Sequence, residues 1–215
     1  MIITIAHGAG NCAKSIVADN LAALRTLSGS KLILLDNDAR HSSLDWSRAR
    51  RRTADCTPVT VRRVSGKGMQ AELENLGFHY QDIVIDAEAR DCMGSRSALQ
   101  AAHVTILVIE LDQLEQLHEH ELSTRIQLAQ TENPGMRTLV VMSCSDVQAA
   151  ADKVAKVKDF VSTLEATELF PHPLFCGGSF HQAYQDGLSV CEYPAAHPMT
   201  IKALQALSSK VFASH

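Results

Sequence analysis

The chain opens Met1-Ile2-Ile3-Thr4-Ile5-Ala6 and runs directly into His7-Gly8-Ala9-Gly10-Asn11-Cys12-Ala13-Lys14-Ser15. An apolar, β-prone run ends in a loop of small residues, and the loop ends in Lys-Ser where a helical pattern begins. In such a layout the backbone N–H groups of the loop and the positive end of the following helix face an anion. The spacing follows the phosphate-binding pattern G-x-x-x-x-G-K-[ST], with Ala13 in place of the second glycine. The stretch therefore predicts a nucleotide-binding fold, with Gly8, Gly10, Asn11, Cys12, Ala13, Lys14 and Ser15 as candidate phosphate-binding residues.

The rest of the chain continues the alternation that this stretch begins. Strands are expected at Ile2–Ala6, Lys31–Asp36, Pro58–Val64, Ile83–Asp86, Val104–Leu111, Thr138–Ser143 and Leu169–Phe175. Helices are expected at Lys14–Leu27, Leu44–Arg51, Gly68–Leu76, Arg96–Ala102, Gln113–Gln130, Val147–Ala166, Phe180–Asp186 and Pro198–Phe212. Continuous apolar runs such as Val104-Thr-Ile-Leu-Val-Ile109 suit strands buried on both faces. The pattern predicts an α/β fold, a doubly wound and mostly parallel sheet flanked by helices, as in P-loop NTPases. No repeat, low-complexity segment or long linker interrupts it, so residues 1–215 read as a single domain.

Composition narrows the function classes. The 215 residues are 46% hydrophobic and 20% charged, which suits a globular chain with a sizeable core. The net charge of −4 gives no bulk attraction to nucleic acid, so any such binding needs a local patch. No apolar run reaches the roughly 18–20 residues needed to span a bilayer, and no basic region precedes the N-terminal apolar run. No membrane partner is expected. The six cysteines, Cys12, Cys56, Cys92, Cys144, Cys176 and Cys191, form no C-x-x-C pair. They read as reduced thiols in a cytoplasmic protein, with Cys12 a small filler of the loop.

Three features converge on the carboxyl ends of the expected strands, where ligands bind in such sheets. Lys14 would put a positive charge on the β- and γ-phosphates, and the Ser15 hydroxyl would ligate Mg²⁺. Leu34-Leu35-Asp36-Asn37-Asp38 places two carboxylates at one strand end. Ile83-Val84-Ile85-Asp86 is an apolar strand ending in Asp, the Walker B pattern that holds Mg²⁺ through water. Ser15, Asp36 and Asp86 are the candidate metal residues.

With these blocks in this order, the sequence resembles the ParA/MinD family of deviant-Walker ATPases, in particular the ParA-type plasmid and chromosome partition proteins. Ser43-Leu-Asp-Trp46-Ser-Arg-Ala-Arg50 is similar to the family's helix after its second strand, and Tyr80-Gln-Asp-Ile-Val-Ile-Asp86 to its Walker B strand. Ser97–Ala102 with Val104–Ile109, Asn133-Pro-Gly-Met-Arg137, Phe180–Gly187 and Glu192-Tyr193 resemble later blocks. The resemblance implies ATP or ADP with Mg²⁺ as cofactors and catalytic roles for Lys14 and for Asp38, which matches the position that handles water. It also implies a homodimer, nonspecific DNA binding and a centromere-binding partner of the ParB type.

The departures from the family pattern bear on turnover. Ala9 stands where the family has its signature lysine, which crosses the dimer interface to the partner's phosphates. Asn11 and Ala13 replace two glycines, and each added Cβ narrows the approach to phosphate. Ala87-Glu88-Ala89 follows Asp86 where Thr-Pro-Pro is usual, which puts Glu88 near the γ-phosphate, and Ser143 stands for the adenine-contacting Asn. Slow or absent hydrolysis is the expectation. A non-catalytic ParA-like interaction or DNA-binding module is the alternative, and a small-molecule kinase or synthetase on this scaffold a third.

Arg48, Arg50, Arg51, Arg52, Arg62, Arg63 and Lys67 form a basic cluster. Its arginines 50, 51, 52, 62 and 63 are the candidate DNA contacts, against a plain solvated face balanced by Asp45 and Asp55. Lys202 and Lys210 on the last helix could extend a DNA face, as the resemblance implies, against the plainer reading of two solvated lysines. His118-Glu119-His120 has i,i+2 spacing, which points the imidazoles apart on a helix and disfavours a metal site.

Overall fold

A computed structural model describes residues 1–9, 13–146 and 151–213. The expected alternation is present. Strand β1 (Ile2–Ala9) leads to helix α1 (Ala13–Leu27), β2 (Leu32–Asp36), α2 (Ser42–Arg50), β3 (Thr60–Arg63), α3 (Met69–Gly77), β4 (Asp82–Asp86), α4 (Met93–Ala101) and β5 (Val104–Glu110). Then follow α5 (Glu119–Glu132), β6 (Arg137–Cys144), α6 (Ala151–Ser162), the short β7 (Thr167–Leu169) and β8 (Leu174–Phe175), α7 (Gly178–Gln185) and α8 (Pro198–Phe212). The strands form one parallel sheet in the order β3-β2-β4-β1-β5-β6-β7, with β8 also on β6. This is the doubly wound α/β sheet that the sequence predicts.

The continuous apolar strands divide their side chains between two faces. Ile3, Ile5, Leu34, Val84, Ile106 and Val108 face α1 and α8. Ile33, Leu35, Ile83 and Ile85 face α3, while Leu107 and Ile109 face α5 and α6. α1 is buried along Ala13–Ala23, and its alanines 18, 22 and 23 let it sit close between the sheet and neighbouring helices. Parallel pairing aligns Asp36 with Asp86 and Ile5 with Asp86, so the second and fourth strands end side by side while the first runs on past them to Ala9.

The structure departs from the sequence reading at several boundaries, each with a local cause. β1 continues through Ala9 instead of ending at Ala6, because His7 and Ala9 still pair with Val108 and Ile109 across an irregularity at Gly8. The helix expected at Gln113–Gln130 is a 3-10 segment, Leu111–Gln116, followed by α5. Leu111, Leu114 and Leu117 recur every third residue, the 3-10 period, and pack into one cluster. The strand expected at Leu169–Phe175 is split, because Pro171 and Pro173 have no N–H to give to the ladder. The helix expected at Val147–Ala166 is seen as α6; positions 147–150 lie outside the described residues.

The C-terminal segment is fastened to α2 by Arg50. Its guanidinium, 1% exposed, donates to both carboxylate oxygens of Glu192 at 2.7 Å and to the carbonyls of Thr57 and Gly187 at 2.7 and 3.0 Å. Gly187 has φ +71°, and a Cβ there would lie 2.0 Å from the Arg50 nitrogen, so the turn fits against α2 only as glycine. Arg50→Ala should therefore lower the unfolding free energy by about 3 kcal/mol, the low end for breaking a buried ion pair because Glu192 keeps some exposure. Urea denaturation of the variant measures this, and an unchanged midpoint would show that the clamp contributes nothing.

Candidate functional site

The side chains singled out at the strand ends meet at the start of α1. Lys14 Nζ, 2% exposed, lies 3.1 Å from Asp38 Oδ2 and makes a closer ion pair and hydrogen bond with Asp86 Oδ1. Burial alone would lower the lysine pKa, but the Asp86 and Asp38 carboxylates outweigh it and hold the ammonium above its ordinary value. Asp38 is pulled down to about 2: burial works against this, but the Lys14 charge and hydrogen bonds from Arg40 prevail.

The other two carboxylates at the strand ends are held in place by α2 and its approach. Ser43 donates its hydroxyl to Asp86 Oδ2 at 3.1 Å. Asp36 accepts the N–H groups of Leu44 and Asp38 at 2.9 and 3.1 Å, and His41 Nδ1 lies 3.9 Å away. Burial raises the Asp36 carboxyl to about 6, with the Asp86 charge adding to it.

Ser15 and Asp19 are one helical turn apart, both buried. Among the described residues, the Ser15 hydroxyl and both Asp19 carboxyl oxygens have no hydrogen-bond partner. Burial, then the charge of Asp86, pushes the Asp19 carboxyl well above the usual carboxylate range and favours its protonated form.

These residues suit a phosphate–Mg²⁺ ligand in one specific respect. The unpartnered, buried Ser15 hydroxyl is an oxygen that the chain itself does not use. Among the described residues no three acidic, His or Cys side chains converge to hold a metal alone. A Mg²⁺ ion would need Ser15, water and the phosphates themselves to complete its octahedron, which is how Mg²⁺ is usually held beside nucleotides.

The remaining predicted residues are placed differently. Gly8 is a strand residue, and a Cβ there would lie 2.6 Å from Ile109 Cγ1 and 2.8 Å from the Val108 carbonyl oxygen. Packing against β5 is a sufficient reason for glycine at this position. Gly10, Asn11 and Cys12 lie outside the described residues. The Ala13 N–H, at the start of α1, donates to Glu110 Oε1 at 2.8 Å. Glu88 accepts the Ala39 N–H at 3.0 Å and sits beside Arg90, so it ties down the loop after β2. Ser143 is buried at the end of β6.

The basic cluster is dispersed. Arg50 belongs to the buried clamp and is not a surface residue, a correction to its reading as a DNA contact. Arg51, Arg52, Arg62 and Arg63 are exposed. Because β2 and β3 are parallel, α2 runs back between them. Arg51 and Arg52 therefore lie where β3 approaches its start, and Arg62 and Arg63 at its far end, where Arg62 pairs with Glu72. On the other side of β1 a cavity of about 810 Å³ opens beside His7 and Gly8, lined also by Arg96, Arg125, His118 and His120.

Sequence reasoning missed Asp19, Ser43 and Glu110. Asp19 had a visible signal: a lone acid four residues after Ser15 in an otherwise apolar helical run. Glu110 had none, since a Glu at a strand end is ordinarily solvated.

No protein-family model matches the chain, and no curated protein matches it by sequence. Its fold does have known counterparts. The ATP complex of an Asp-to-Ala variant of McdA from Cyanothece superposes with a TM-score of 0.77 at 14% identity, over 99% of this chain and 96% of that one. MinD cell division protein of Aquifex aeolicus gives 0.72 at 15% identity, over 100% and 98%. A plasmid partition protein from Borrelia burgdorferi gives 0.59 at 14% identity, over 88% and 96%. The chain thus has the P-loop α/β fold of the deviant-Walker ATPases of the ParA/MinD type. Within that fold its likeness extends to MinD, McdA and ParA-like partition proteins alike.

The raised carboxyl of Asp36 predicts a pH response. Such a group stabilises the fold while protonated, and this contribution, complete below about pH 4, is lost as pH rises through about 6. Thermal stability should therefore decline between about pH 4 and pH 6.5, and Asp36→Asn should flatten that decline. Melting curves across the range test it, and equal slopes for parent and variant would exclude Asp36 as the source.

Proposed function

We propose that the chain is a ParA-type partition protein that binds ATP with Mg²⁺ conditionally, contacts DNA without sequence preference, and acts as a homodimer with a centromere-binding partner of the ParB type. The observation that carries this reading is the seating of Lys14 between Asp86 and Asp38 at the ends of the central strands, with the Ser15 hydroxyl left for an external ligand. That a McdA with this fold is known as an ATP complex supports it. In this reading Lys14 moves from the carboxylates to phosphate, Ser15, Asp36 and Asp86 would hold Mg²⁺, and Asp38 orients water.

Little hydrolysis is expected. Phosphoryl transfer depends on positive charge placed on the transferring group, and a cation supplied in trans contributes about 10³-fold or more in rate. Ala9 cannot supply one. This favours a second reading, the same fold kept as an interaction or DNA-binding module without turnover. Nucleotide binding separates the two.

Lys14→Ala would remove the phosphate charge but also strand two buried carboxylates, so Ser15→Ala is the cleaner variant. Its hydroxyl has no internal partner, and the fold should keep its stability. Calorimetric titration should show ATP affinity in Mg²⁺ falling about tenfold or more, and no such change in EDTA. Absence of ATP binding by the parent would favour the module.

The DNA contact falls to the exposed arginines, of which Arg51 and Arg52 are the nearest pair. Binding should be insensitive to sequence and weaken steeply with salt. Arg51→Glu with Arg52→Glu should weaken gel-shift binding on any duplex and reduce the salt slope by about two. Unchanged midpoints would return these residues to a solvated face.

A further inference from the structure

A helix N-terminus attracts an anion because its first N–H groups have no partner within the helix. Here the start of α1 already has one. Glu110, the last residue of β5, places Oε1 2.8 Å from the Ala13 nitrogen, and its Oε2 accepts the side-chain amide of Gln113 at 3.1 Å. The carboxylate accepts from both of these donors, and it reaches α1 at the place where the P-loop layout puts a phosphate. The second attractor for phosphate, Lys14, is likewise occupied, by Asp86 and Asp38.

We infer that Glu110 is a built-in competitor for the phosphate position, a carboxylate that must be displaced from the Ala13 N–H before a phosphate can settle at the start of α1. The inference rests on the nucleotide-site reading above and adds its regulation. Displacement is an exchange of one anion for another, so affinity for phosphate is lowered by whatever the Glu110 contact contributes.

The segment that follows Glu110 leads to a second surface of the molecule. Leu111–Gln116 is a 3-10 stretch with a non-helical Gln113, and Gln116 and His118 line the cavity between α4 and α5. The competitor is therefore joined by a few residues to a second surface of the molecule.

Inorganic pyrophosphate is the direct probe, since it carries the phosphate chemistry without the base. Glu110→Ala removes the competitor, and Glu110→Gln removes only its charge. Calorimetric titration of the whole chain in Mg²⁺ should show pyrophosphate bound about ten- to a hundred-fold more tightly by Glu110→Ala than by the parent, with Glu110→Gln between them. Melting curves check that both variants fold, and the Ala13 amide should exchange faster with solvent in Glu110→Ala without ligand. Equal or weaker pyrophosphate affinity in folded Glu110→Ala would overturn the proposal. If pyrophosphate binding tightens while ATP binds neither form, the competitor stands and the nucleotide reading fails. If ATP binds parent and variants equally, the nucleotide reading stands and the competitor fails.

Discussion

The ion pair of Lys14 with Asp86 and Asp38 is the interaction on which the rest of this end of the molecule depends. A lone ammonium at 2% exposure would lose several kcal/mol of hydration. Two carboxylates offset that loss, and each must be delivered by a different strand. The register Asp36–Asp86, together with the turn that carries Asp38 two residues beyond β2, brings them to one place. The order β2-β4-β1 thus brings the acidic ends of β2 and β4 to the side of β1 where Lys14 is buried.

α2 is fixed by the same constraint. Ser43 and Leu44 in its first turn donate to Asp86 and Asp36, so the helix begins where the carboxylates need donors. Its far end is fixed by Arg50 through Glu192 and Gly187. An arginine that looks like part of a surface patch in the sequence is consumed by this clamp. The buried arginine of that run thus holds the C-terminal segment, and the remaining arginines are separated along the β3 edge.

The fold was legible in the sequence because its signal is collective. Long apolar strands alternating with helical patterns admit few arrangements, and a Gly-rich turn into Lys-Ser marks the first crossover. Lys14, Asp36, Asp38 and Asp86 were legible for the same reason, since each closes a strand or opens a helix. What escaped were partnerships between distant residues. Nothing local distinguishes Glu110 at a strand end from a solvated glutamate, or Arg50 in an arginine run from its neighbours. Pro171 and Pro173 were readable as strand breakers. The leucines at 111, 114 and 117 were readable as a 3-10 period, although a longer helix also accommodates them.

Charge at the start of α1 ties these observations together. Asp19, Asp36, Asp38 and Asp86 are buried around the ammonium of Lys14, and Glu110 adds a carboxylate at the helix end. The site meets this excess by favouring the protonated form of Asp19 and raising Asp36, while Asp38, closest to Lys14 and Arg40, stays ionised. A phosphate entering alone would add negative charge where two carboxyl groups already resist ionisation. A phosphate entering with a divalent cation would not, because the cation offsets the new charge and gives the unpartnered Ser15 hydroxyl and Asp86 a common partner. Under the nucleotide reading, Mg²⁺ is therefore a condition of entry and not an accessory to it. The arrangement of buried acids around one lysine is what makes binding conditional.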